Sequence, residues 1–119
     1  MSSAAKRKGT RWESAVRDFL LEFPLLRHTR RIAAQGHLDI GDVHVWPFAL
    51  QCKNQKSFDL AGWVRDAEEQ ADRAQYPYGV AVIKAPGKST DRGYAVMSLS
   101  TFRRLAADHL DSDREMYRE

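Results

Sequence analysis

The stretch 48-FALQCKN-54 decides the fold. Phe48, Leu50 and Cys52 alternate with Ala49, Gln51 and Lys53, the period of an extended strand whose successive side chains point to opposite faces. Phe48 to Asn54 is therefore read as a strand with one face in a core. Gln51 and Lys53, two residues apart, project side by side from the other face. A lysine on an inner sheet face is costly to desolvate unless anions or a metal-bound water lie close to it.

Working outward, Trp46-Pro47 marks a turn before this strand, and Leu38 to Val45 reads as a second short strand. Leu26 to Ile32 alternates weakly as another strand, followed by a turn at Ala33-Ala34-Gln35-Gly36. From Thr10 to Phe23, Trp12, Val16, Phe19, Leu20 and Phe23 recur at helical spacing until Pro24 stops the pattern. Downstream, Leu60, Trp63, Val64, Ala67, Ala71 and Ala74 make Asp59 to Gln75 an amphipathic helix, with Asp59 as its cap. Gly79 to Lys84 and Tyr94 to Leu99 read as a strand hairpin. Ser100 or Thr101 then starts a third helix whose apolar side holds Phe102, Leu105, Ala106 and Leu110. The order is αβββαββα, an α/β domain with a mixed central sheet flanked by helices.

The chain has 119 residues, enough for one core and one domain. That domain is placed at 10–110, between a basic N-terminal arm at 1–9 and a polar tail at 111–119. No apolar run is long enough for a transmembrane helix, and the basic, polar start does not resemble a secretory signal, so a cytoplasmic location is expected. The single cysteine, Cys52, rules out an intrachain disulfide, and no Cys/His cluster has zinc-site spacing. Net charge is +3, with a pI of about 9.2. The basic residues cluster: Lys6, Arg7, Lys8 and Arg11 open the chain, Arg27, Arg30 and Arg31 flank a strand, and Lys53 and Lys56 follow another. This clustering suits a polyanion partner.

An acid in 37-HLDIGDV-43, followed a dozen residues later by the Q-x-K of 50-LQCKNQ-55, brings Asp39 beside Gln51 and Lys53 if the two strands pair. With these residues in place, the sequence resembles the PD-(D/E)xK nuclease superfamily, most closely its archaeal-type Holliday-junction resolvase branch, phage proteins included. The likeness runs from KGTRWESAVRDFL through HLDIGDV and ALQCKNQK to AGWVRDAEEQADRAQ and GVAVIKA.

The resemblance implies a restriction-endonuclease-like core and a metal site formed by a glutamate on the first helix, an aspartate and an E-x-K or D-x-K motif. The matching positions are Glu13, Asp39, Gln51 and Lys53. It further implies Mg²⁺ as cofactor with Mn²⁺ as substitute, Asp39 as central ligand, and Glu13, Gln51 and the backbone carbonyl of Cys52 as further ligands. Lys53 would orient the attacking water or stabilise the transition state. Hydrolysis of a phosphodiester needs these services, and hard oxygen ligands suit the ion that supplies them.

Gln70 occupies a place where related nucleases carry a glutamine near the metal. Gln35-Gly36 falls where related resolvases carry a serine-glycine loop. Lys6, Arg7, Lys8, Arg11, Arg30, Arg31, Gln35 and Lys56 are the expected DNA contacts. The expected activity is resolution of four-way DNA junctions by a homodimer, two cuts related by symmetry calling for two sites. The sequence departs from the pattern at Leu38, where a proline is usual, and at Gln51, which replaces the usual acid. The alternatives are a nuclease with another DNA substrate, such as a flap or duplex, or a catalytically impaired DNA-binding relative.

Overall fold

The computed structural model describes residues 3–33 and 38–116, with side chains described through Arg114. Among them are three α-helices: α1 (Ser3–Leu21), α2 (Leu60–Ala74) and α3 (Leu99–Met116). Five strands, β1 (Arg30–Arg31), β2 (Val43–Val45), β3 (Phe48–Lys53), β4 (Tyr78–Ile83) and β5 (Tyr94–Val96), form one sheet in the order β1-β2-β3-β4-β5. The αβββαββα order expected from the sequence holds. The sheet is mixed: β3 and β4 are parallel, joined through α2, and the remaining neighbours are antiparallel. A helix crossover is how two adjacent parallel strands are joined. The β3–β4 register pairs Phe48 with Tyr78 and Lys53 with Ile83, so both strands end together at one edge of the fold.

The alternation that defines β3 distributes two cores. On one face Leu50 joins Trp12 and Val16 of α1 with Val43, Val45 and Val80, and Phe48, Cys52 and Val82 pack around them. On the other face Trp63 of α2 covers Ala81 and Ile83. Each large side chain buried this way stabilises the fold by roughly 1.5–3 kcal/mol. Trp12 also donates its indole N–H to the Val82 carbonyl at 3.1 Å, fixing α1 over the sheet. α2 lies so close to β4 that a methyl at Gly79 would overlap the Ala67 backbone carbonyl.

Several boundaries differ from the sequence reading. α1 begins at Ser3, so 3–9 are helix rather than an arm: Ala4, Ala5, Lys6, Arg7 and Lys8 are strong helix formers with no apolar stripe to reveal it. The strand read from Leu26 shrinks to Arg30–Arg31. A short 3-10 turn at Pro24–Leu26 takes up the apolar residues there, closed by Arg27 N–H to Pro24 O and Thr29 N–H to Leu26 O. The second strand begins at Val43, not Leu38. β5 stops at Val96 because Ser98, not Ser100 or Thr101, caps α3, its hydroxyl accepting the Thr101 N–H at 3.1 Å. The tail at 111–119 is helical as far as Met116. Asp59 caps α2 as expected, accepting the Gly62 N–H at 3.1 Å.

α3 is held by polar ties. Ser98 and Thr101 both donate to Glu68 of α2, at 2.6 and 3.1 Å, and Tyr78 donates to Asp108. Leu99, Phe102 and Leu110 on the same helix stay exposed. No helix among the described residues is long and apolar enough to cross a membrane.

Candidate active site

The antiparallel pairing of β2 with β3 ends at Val43↔Leu50, and the two segments part beyond it. Asp42 stands at this fork. Its backbone N–H donates to Leu50 O at 2.8 Å, and its carboxylate accepts the Cys52 N–H at 2.8 Å. An extended residue points its N–H and C=O to the same strand edge, so the Cys52 carbonyl faces the same fork. Gly41, with φ of 103°, makes the turn that delivers Asp42, in a backbone region that favours glycine.

Gln51 sits opposite Asp42, one residue past the last pairing. It shares a sheet face with its β4 partner Ala81, which packs under Trp63 of α2. The side chain is only 4 % exposed, and its carbonyl oxygen Oε1 has no hydrogen-bond donor. Gln70 of α2 is buried at 5 % exposure. Its amide nitrogen donates to Asp39 Oδ2 at 2.9 Å, which leaves its own Oε1 buried without a donor. Buried acceptors of this kind are uncommon in folded proteins and cost about 1–3 kcal/mol each. Each of these amide oxygens is free to accept from a cation or a donor.

Asp39 is exposed, turned back on itself by the Gly41 N–H at 3.2 Å. Arg73 donates to its backbone carbonyl at 2.9 Å. With Asp66, Glu69, Gln70 and Arg73 it lines a polar hollow of about 340 Å³. Glu13, half-buried on α1, meets Arg31 of β1 at 3.3 Å, so one of the expected DNA-contacting arginines is engaged inside the site.

Electrostatics ties these groups together. Burial, then the negative charge of Asp42, raises the Glu13 carboxyl above its ordinary value, with Arg31 opposing. Burial raises Asp42 as well, and the charge of Asp39 adds to it, while the Cys52 N–H bond, Lys53 and Arg31 pull the other way. Burial is the largest cause at both carboxyls, and the neighbouring cations oppose it. Burial and the two carboxylates push the Cys52 thiol far up, which removes it as a nucleophile and leaves it a core residue.

These raised values set a pH dependence. Between the ordinary carboxylate range and the raised values, the folded metal-free chain holds protons that the unfolded chain has released, so stability falls as pH rises through that window. In chelator, the melting temperature of the wild type relative to Asp42→Asn is expected to fall as pH is raised from about 4 to 7. A difference that stays flat or rises would show that Asp42 carries no burial penalty.

Of the sequence-derived site residues, the fold gathers Gln51, Cys52 and Lys53 at the end of β3, links Asp39 to Gln70, and pairs Glu13 with Arg31. Asp42 escaped the sequence reading because a strand drawn from Leu38 makes Asp39 its acid. The signal available was Gly41-Asp42 directly before the V-x-V alternation at 43–45, which marks where the strand starts. Gln35 and Gly36 lie outside the described residues. Lys6 and Arg7 are exposed on the first turns of α1, and Arg30 is exposed in β1. His44 is core, its Nε2 2.7 Å from Ile40 O and its ring 4.4 Å from that of Tyr76.

Among the described residues no three His, Cys, Asp or Glu side chains converge closely enough to hold a metal unaided. The oxygens offered at the fork are instead mixed: the Asp42 carboxylate, the Gln51 amide oxygen and the Cys52 carbonyl, while the carboxylates of Asp39 and Glu13 do not converge with Asp42 as one group of three. All are hard oxygens of the kind Mg²⁺ and Mn²⁺ accept, and the unpaired Gln51 oxygen fits the same role. No family model, curated protein or solved structure matches the chain.

Proposed function

We propose that the chain is a metal-dependent DNA endonuclease of the PD-(D/E)xK type, acting as a homodimer on branched DNA. The observation that carries this reading is the fork at the end of β2 and β3. There Asp42, held by the Cys52 N–H, stands one step past the last β2–β3 pair, opposite Gln51, whose buried side-chain oxygen has no donor, and Lys53 follows Gln51 on the same strand face. Asp42, Gln51 and the Cys52 carbonyl would hold Mg²⁺, with Asp39 and Glu13 reached directly or through water. When bound, the ion neutralises charge on the phosphate and makes an attacking water more acidic. Lys53 orients that water and meets the charge that builds on the non-bridging oxygens, a fixed positive group worth most where water is excluded. Gln70 holds Asp39 in place through its amide. Arg31 keeps Glu13 paired until a cation takes over the charge.

Junction selectivity is read from the resemblance and from symmetry: a two-fold dimer places two sites to cut two strands of a four-way junction. The test is cleavage of a synthetic junction and of a linear duplex, each with Mg²⁺ or Mn²⁺, beside Lys53→Ala. Metal-dependent cutting that prefers the junction and is lost in Lys53→Ala supports the reading. Equal cutting of both substrates moves it to a general nuclease. Cutting that survives in Lys53→Ala refutes the site, and binding without cutting makes the chain a DNA-binding relative.

A further inference from the structure

On the α1 side of the sheet, beyond the ends of β3 and β4, lies a cleft of about 500 Å³. Lys8 and Arg11 border it from α1, Lys56 from the segment after β3, and Lys84 from the end of β4; Trp12 and Ala15 also line it, one helical face with Lys8 and Arg11. No Asp or Glu lines the cleft. Among the described residues none of these four cations is ion-paired. The cleft adjoins the end of β3 along the chain: Asn54 and Gln55, which also line it, follow Lys53 directly, and Lys84 donates its backbone N–H to Lys53 O at 2.9 Å. The Lys84 ammonium also donates to Lys88 O at 3.0 Å, which curls the loop that walls the far side.

We propose that this cleft binds the sugar-phosphate backbone of the DNA strand flanking the phosphate that is cut. Four cations from three separate segments exceed what one small anion needs, and they suit a chain of phosphates. The side-chain amides of Asn54 and Gln55 donate to phosphate oxygens without regard to sequence, and Trp12 and Ala15 give the deoxyribose an apolar wall. Contacts of this kind position a strand rather than read its bases. The role of the cleft in cutting rests on the nuclease reading above; its affinity for DNA does not.

The test measures DNA binding in chelator across about 50–200 mM salt for the wild type and for the triple variant Lys8→Gln/Arg11→Gln/Lys56→Gln. Lys84 is kept because it also ties its own loop. The slope of log affinity against log salt is expected to shrink by about 2–3, close to one per lost phosphate contact. Arg65→Gln/Arg103→Gln/Arg114→Gln, with the same charge loss on α2 and α3, is expected to change it by less than about one. An unchanged slope in the cleft variant, an equal change in both triples, or a wild type that binds no DNA overturns the proposal. Cleavage by the wild type with Mg²⁺ is scored separately. Binding with the expected slope loss but no cutting would leave the cleft standing and remove the nuclease reading. Cutting with an unaltered slope would do the reverse.

Discussion

Asp42→Asn is expected to lower metal-dependent DNA cleavage by at least about 100-fold, because outer partners of a metal site alone are worth 10–100-fold and this carboxylate is placed as a direct ligand. The substitution is nearly isosteric. The introduced amide keeps an oxygen to accept the Cys52 N–H, so the fork should survive and the protein should melt at or above the wild-type temperature in chelator. Asp39→Asn is the informative partner. Asp39 is exposed and already engaged by Gln70 and its own turn, so its loss should cost roughly tenfold. Cleavage rates of the two variants under saturating Mg²⁺ decide the ranking. If Asp39→Asn is the more damaging, the central carboxylate is the one expected from the motif spacing, and Asp42 is a structural acid that holds β2 to β3.

Gln51→Glu is expected to act in opposite directions on stability and on activity. A carboxylate at a position only 4 % exposed should destabilise the metal-free fold by about 1–3 kcal/mol. That is a melting temperature lower by roughly 4–12 °C for a chain of this size. With Mg²⁺ or Mn²⁺ the same charge becomes a ligand. The metal-induced rise in melting temperature should then exceed that of the wild type, and cleavage should increase about tenfold or more, a gain of roughly 1.4 kcal/mol in transition-state stabilisation. Melting curves with chelator and with metal, beside cleavage rates, test both halves. If the Gln51→Glu variant melts lower in chelator but gains neither metal response nor rate, the Gln51 oxygen does not face the cation.

The legible parts of this chain are those where side-chain period and burial coincide. The alternation in β3 fixed which face holds Leu50 and which holds Gln51, and the helical stripe of Trp63, Ala67 and Ala71 fixed how α2 lies on the sheet. Both survive in the structure because burying those faces dominates the energetics. Boundaries were less legible where exposed residues continue an element by propensity alone, as in the first two turns of α1 and the last turn of α3. They were also obscured where a short local turn captures apolar residues that could equally have paired, as at Pro24–Leu26. The candidate site followed the same division. Gln51, Lys53 and Gln70 were readable from their positions on regular elements. Asp42 was not, since its place at the fork depends on where pairing between two strands stops, which the Gly41-Asp42 step before Val43 marks only faintly.

The bare backbone of Gly79 has a meaning beyond packing. With no side chain between β4 and the Ala67 carbonyl, the height of α2 above the sheet is gauged by direct backbone contact. Gln70 rides one turn further along that helix and steers Asp39. The absent side chain is therefore a spacer of zero thickness, and the alignment of the oxygens proposed to face the metal inherits its tolerance from a residue that touches none of them.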